Sequence, residues 1–258
     1  LDNNSLYESI RKITKTVEES ISPVLKVMNN LSEYINPLFD TMTKSIETVK
    51  KSHPIRYKFY ERCRKIGWMP PLETELALSL SDLKGVDDEQ LNLYFLRFLT
   101  KGNYKSMYII FENIEENIEE QYKNEIRKIV KILKYDINNY TLTIPFLFSI
   151  MERMFVNQAS KIDNVSSYAK NKEIEKIAKI SKAKSEDNKD LFMLIHYNTL
   201  ELVSNYFSYI SFEGDPINEI NRHAVLHGKY NPNNYTFSDY LRLLTVVESL
   251  SFFEDYFE

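Results

Sequence analysis

Four side chains near the end of the sequence, Asn221, Arg222, His223 and His227, fall within seven positions of the segment INEINRHAVLHGKYNPNNYT. An imidazole titrates near neutral pH, so it takes up or gives away a proton under ordinary conditions. A guanidinium presents a rigid fork of donors that matches phosphate oxygens in sign and geometry. These groups together suit displacement at phosphorus. There the nucleophile loses a proton, the leaving group gains one, and negative charge builds between them. His223 and His227 are four positions apart, hence about 40° apart around a helix and on one face, whereas Arg222 and His227 are about 140° apart. A centre that uses both needs the helix to fray beside Gly228, or a second copy of the segment across a two-fold axis.

The elements that must carry these residues read as helices throughout. Residues 217–227 form a short helix after the turn Gly214-Asp215-Pro216, and Gly228 stands where a left-handed C-terminal cap belongs. Thr236 and Asp239 make a capping-box-like start for a last helix running to Phe257. Upstream, Leu191 to Ile210 is a nearly all-apolar helix. Thr143 reads as the N-cap of a helix with Pro145 in its first turn and Leu147, Ile150, Met151, Met154 and Phe155 on its buried face. A Glu- and Lys-rich helix covers 119–135. Shorter helices at 72–83, 87–100 and 103–118 are split at Gly85 and Gly102, and a basic one at 55–66 closes on Gly67-Trp68. From Leu6 to Val49 apolar residues recur every three or four positions, with Pro23 and Pro37 inside the stripe, which describes a long kinked amphipathic helix. The expectation is an all-α helical bundle, divided into an N-terminal region 1–118 and a C-terminal domain 119–258.

Arg222-His223-Ala224-Val225-Leu226-His227 resembles the R-x4-H signature of the HEPN superfamily, including the polar residue directly after the arginine. A helix ending in the histidine, then glycine, a polar loop and a long apolar helix are similar to the family as well. IPFLFSIMERMF resembles its first core helix, with Glu152 where an acidic residue often stands. The likeness covers the C-terminal half only. It implies a HEPN-like domain of four to five helices that forms a homodimer and joins two motifs in one cleft. It also implies a metal-independent endoribonuclease, of the toxin or anti-phage abortive-infection kind. On that resemblance His227 serves acid–base catalysis and Arg222 positions the phosphate. His223 and Asn221 are supporting polar groups, and Glu152 an orienting residue. RNA, with tRNA among the candidates, is the expected partner. The N-terminal helices are left for an antitoxin, a sensor function or a stalk. The chemistry of the side chains agrees: attack by the 2′-OH leaves a 2′,3′-cyclic phosphate and a 5′-OH, and needs a base, an acid and a cation.

Other features narrow the field. Five glycines, none close together, leave no phosphate-cradling loop, which excludes P-loop and dinucleotide-binding folds. A single cysteine, Cys63, allows neither an internal disulfide nor a thiolate metal cluster. A net charge of −4 argues against a general nucleic-acid coat but not against a local basic cleft. His223 and His227 have metal-ligand spacing, but Ala224 replaces the glutamate of the metalloprotease pattern. A third ligand would have to be His196, which lies in an apolar helix and reads as a core residue. No cofactor or metal is expected. His53, before Pro54, reads as an exposed loop residue. The lysine-rich stretch 161–189 reads as a solvated helix or insertion, or else as a contact for RNA phosphates. No apolar run approaches the roughly 20 residues of a spanning helix. The opening LDNNSLYESIRK lacks the order of a secretory signal, so no membrane contact and a cytoplasmic location are the expectation. A non-catalytic helical interaction and dimerisation protein is the competing reading.

Overall fold

A computed structural model describes residues 56–71, 85–161, 170–188, 191–208 and 220–253. The apolar stripe from Leu6 to Val49, His53, and the helix expected at 72–83 lie outside them. The described residues are all-α, with no strand among them. The elements are α1 (56–65), α2 (Asp88–Asn117), α3 (Glu120–Tyr135), α4 (Tyr140–Ser160), α5 (Asn171–Asn188), α6 (Leu191–Tyr206), α7 (Arg222–Leu226) and α8 (Phe237–Ser251). Single 3-10 turns at Ile137–Asn139 and Pro232–Asn234 precede α4 and α8.

Local chemistry sets most of these ends. Asp87 caps α2 reciprocally: its Oδ1 accepts from the Gln90 N–H at 2.8 Å, and the Gln90 side chain accepts from the Asp87 N–H at 2.9 Å. The break expected at Gly102 is present as a left-handed kink. Gly102, Asn103 and Tyr104 have φ of 61°, 55° and 64°. Thr236 caps α8 by accepting from the Asp239 N–H at 3.1 Å. The expectation for Thr143 fails. The 3-10 turn delivers the chain into α4 already at Tyr140, so Thr143 lies inside the helix and its hydroxyl donates back to the Tyr140 carbonyl at 2.8 Å.

The core is centred on α8, buried nearly all round, from Leu241, Leu243 and Leu244 to Val246, Val247 and Leu250. It packs against α2, α4 and α6. All five residues expected on the inner face of α4 are fully buried. Phe59, Tyr60, Cys63 and Trp68 join the same cluster as Leu147, Leu200 and Leu244. Trp68 donates through Nε1 to Asn92 at 2.8 Å, and Arg242 of α8 both bonds Asn92 at 2.9 Å and lies over the Trp68 ring. Packing therefore runs across residue 118 without a break, and the boundary expected there is not a boundary of the core.

Of the stretch 161–189, residues 162–169 and 189 lie outside the described residues, and the reading needs correction over α5. Ile174, Ile177, Ala178 and Ser181 of α5 are buried against α6, while Lys172 and Lys179 face out. The helix is amphipathic core with a lysine-rich outer face, not a solvated insertion.

Candidate functional site

The motif helix α7 is five residues long rather than the eleven expected, because Asn221 starts it as N-cap and His227 ends it as C-cap. Asn221 is extended (φ −142°, ψ 139°), and its Oδ1 accepts from the His223 N–H at 2.8 Å. Its Nδ2 donates to the Ser208 carbonyl at 3.0 Å, and the residue is 2% exposed. Every polar atom of that amide is thus used in capping α7 and tying it to the end of α6. Asn221, which the resemblance implied as a supporting polar group, has its amide engaged in this cap and in the tie to Ser208.

The other end agrees with the sequence reading. Gly228 has φ +67°. The Lys229 N–H bonds the Ala224 carbonyl at 2.8 Å and the Gly228 N–H bonds the Val225 carbonyl at 3.2 Å, which is a complete Schellman motif. His227 is the C-cap residue, at the exposed tip, and Leu226 beside it is 39% exposed.

Arg222 and Glu152, seventy positions apart, meet. Nε and Nη2 of the guanidinium both donate to the one carboxylate oxygen Oε2 of Glu152 on α4, Nε at 3.0 Å. The guanidinium carbon also lies 5.3 Å from the centre of the Phe207 ring at the end of α6. These contacts occupy the side edge and one face of the fork. Among the described residues nothing hydrogen-bonds Nη1, and the arginine side chain keeps 26% exposure. Arg153, next to Glu152 in sequence, does not compete for that carboxylate: Glu119 takes it at 2.8 and 3.2 Å and is itself held below the usual carboxylate range, first by those bonds.

His223 and His227 form the second pair, with ring centres 4.5 Å apart and planes inclined by 64°. The His223 imidazole is lowered from its ordinary pKa by partial desolvation, then by the charges of His227 and Arg222. His223 thus stands electrostatically between the two ends of the motif.

His196 is not part of this site. It is fully buried, with Nδ1 2.8 Å from the Ser181 hydroxyl and Nε2 3.0 Å from Gln158 Oε1, while the Gln158 amide nitrogen donates to the Leu250 carbonyl at 3.0 Å. Leu250 can only accept there, which orients the amide and places a proton on Nε2. Both ring nitrogens are occupied, so His196 completes no ligand set with His223 and His227. Among the described residues no group of three His, Cys, Asp or Glu side chains converges. Cys63 is buried and its thiol is pushed far up by desolvation. No helix among the described residues is long and apolar enough to cross a membrane.

Phe207 and Ser208 are the site-forming residues that sequence reasoning missed. Neither carries a motif, and their partners lie thirteen to fifteen positions onward, beyond the reach of helical or turn periodicity.

No family model, curated protein or solved structure matches the chain. The class that its fold defines is therefore an all-α protein, and the function rests on the site itself.

Proposed function

We propose that the chain is a metal-independent endoribonuclease whose centre is Arg222, His223 and His227, with Glu152 orienting the arginine. The observation that carries this reading is the state of Arg222. One edge is anchored to Glu152, nothing among the described residues hydrogen-bonds Nη1 at the other end of the fork, and a pair of imidazoles follows on the same short helix. In the reaction an imidazole removes the 2′-OH proton and the 2′-oxygen bonds to phosphorus. The bond from phosphorus to the 5′-oxygen then breaks, and an imidazolium supplies the proton that oxygen needs. His223 is suited to the first role because its surroundings favour the neutral form, and His227 takes the second. Arg222 meets the charge that grows on the non-bridging oxygens. The products are a 2′,3′-cyclic phosphate and a 5′-OH.

Arg222 makes its contacts towards α4 and α6, while His227 meets His223 edge-on at the tip of α7. A second copy across a two-fold axis brings the arginine of one chain to the histidine of the other, so a homodimer belongs to the proposal. The biological setting proposed is a cytoplasmic toxin or abortive-infection effector acting on RNA, with tRNA as a candidate substrate and an antitoxin or trigger as regulator.

The same Glu152–Arg222 pair also serves as a plain tie between α4 and α7, which supports the second reading, a non-catalytic helical interaction protein. Purified wild type, R222A and H227A proteins incubated with total RNA in chelator decide between them. The ribonuclease reading expects cleavage by wild type, 2′,3′-cyclic phosphate ends, and loss of cleavage in both folded variants. Cleavage by H227A at the wild-type rate sinks it.

A further inference from the structure

The grip of Glu152 on Arg222 is geometrically incomplete. A fork-on-fork pair uses both carboxylate oxygens and fixes the guanidinium in plane and in tilt. Here Nε and Nη2 converge on Oε2 alone. Two donors sharing one oxygen set a distance, yet they let the guanidinium rock about that oxygen. Nη1, the nitrogen that does not touch this pivot, moves most.

What restrains the tilt is an aromatic face. The Phe207 ring centre lies 5.3 Å from the guanidinium carbon, within the range of a cation–π contact. Phe207 is itself well fixed. Its N–H bonds the carbonyls of Val203 and Ser204 at 3.0 and 3.2 Å at the end of α6, and its ring is half-buried against the core. The adjacent Ser208 carbonyl holds Asn221, the residue just before Arg222, at 3.0 Å. The end of α6 thus sets both the backbone and the side chain of the arginine, by two separate contacts.

We propose that Phe207 is a positioning residue, which tilts the Arg222 guanidinium so that its open Nη1/Nη2 edge is presented to a phosphate. This rests on the ribonuclease reading for its catalytic consequence, but the placement of the arginine is measurable without it. The Asn221–Ser208 clamp does not involve the ring, so a change at Phe207 leaves the cap of α7 in place.

The test uses F207L and F207Y, each alone and together with R222A, in single-turnover cleavage of a fluorescent RNA oligonucleotide, with the Arg222 Nε–Hε signal followed by NMR. F207L is expected to slow the chemical step roughly two- to fivefold, the size of a partly exposed cation–π contact, with little change in KM. F207Y, which keeps the ring face, restores the rate. In the R222A background F207L causes no further slowing. The Nε–Hε signal of Arg222 moves in F207L as the ring-current shift is lost, and it broadens. An equal loss of rate in the R222A background, a Tyr variant as poor as Leu, or an unmoved Nε–Hε signal in F207L each overturns the proposal. If wild type cuts no RNA, the ribonuclease reading falls alone. The NMR signal then still decides whether Phe207 positions Arg222.

Discussion

Replacing Arg222 by lysine separates the two tasks that the structure gives to one side chain. The guanidinium donates twice to Glu152 Oε2 and lies against Phe207, and on the proposed function its end edge meets phosphate. An ammonium at that position bonds Glu152 or a phosphate well, but it cannot present two fixed edges at once. Its charge is kept, so the half-exposed pair with Glu152, at 26% and 33% side-chain exposure, is weakened rather than removed. Loss of one donor and of the ring contact costs about 0.5–1 kcal/mol of stability at such a site. For a chain of this size that is roughly 1–4 °C in Tm. Losing a donor aimed at developing charge costs about 2.7–4 kcal/mol, or roughly 10²–10³ in rate. R222K is therefore expected to unfold within a few degrees of wild type while cutting RNA about a hundredfold more slowly or worse. Thermal unfolding and single-turnover cleavage of a labelled oligonucleotide, on the same preparations, measure the two quantities. A variant within twofold of wild-type rate refutes a role for the fork. A loss of several kcal/mol in stability shows instead that the arginine is a structural tie.

Three further outcomes follow from particular contacts. The lowered pKa of His223 means that the unfolded chain binds its proton more readily than the folded one. Stability therefore falls as pH drops through the ordinary imidazole range and levels off below the folded value, and H223Q is expected to flatten that slope in denaturant titrations run across pH. A steeper slope in H223Q contradicts the assignment. N221A removes the α7 cap and leaves the Ser208 carbonyl without its donor, for a cost of about 1–2 kcal/mol. Urea unfolding within 0.3 kcal/mol of wild type, well under the usual value of a cap, would falsify the structural role given to Asn221. In α5, I177D buries an unpaired carboxylate and should destabilise by about 3 kcal/mol or more, while K179D on the outer face stays within about 0.5 kcal/mol. Equal effects of the two would return that helix to the solvent.

Sequence alone determined what short-range physics controls. Helical periodicity placed α3 and the inner face of α4. Cap residues a few positions apart marked the ends at Thr236 and Gly228, because such bonds form within one turn of chain, whereas the reciprocal cap at Asp87 emerged only with the structure. Residue types pointed to an acid–base and phosphate chemistry at Arg222, His223 and His227, and Glu152 entered through a family resemblance rather than through spacing. Only the tertiary structure decided which side chains meet. Asn221 looks like an active-site amide in the segment around it. It became a cap because Ser208, thirteen positions upstream, accepts its other end. The buried stripe of α5 is four residues in a run of lysines and glutamates, too thin to outweigh its composition until α6 covers it. Phe207 carries no pattern at all. Its place beside Arg222 is set by the packing of α6 against α4 and α8, a long-range arrangement that no local period encodes.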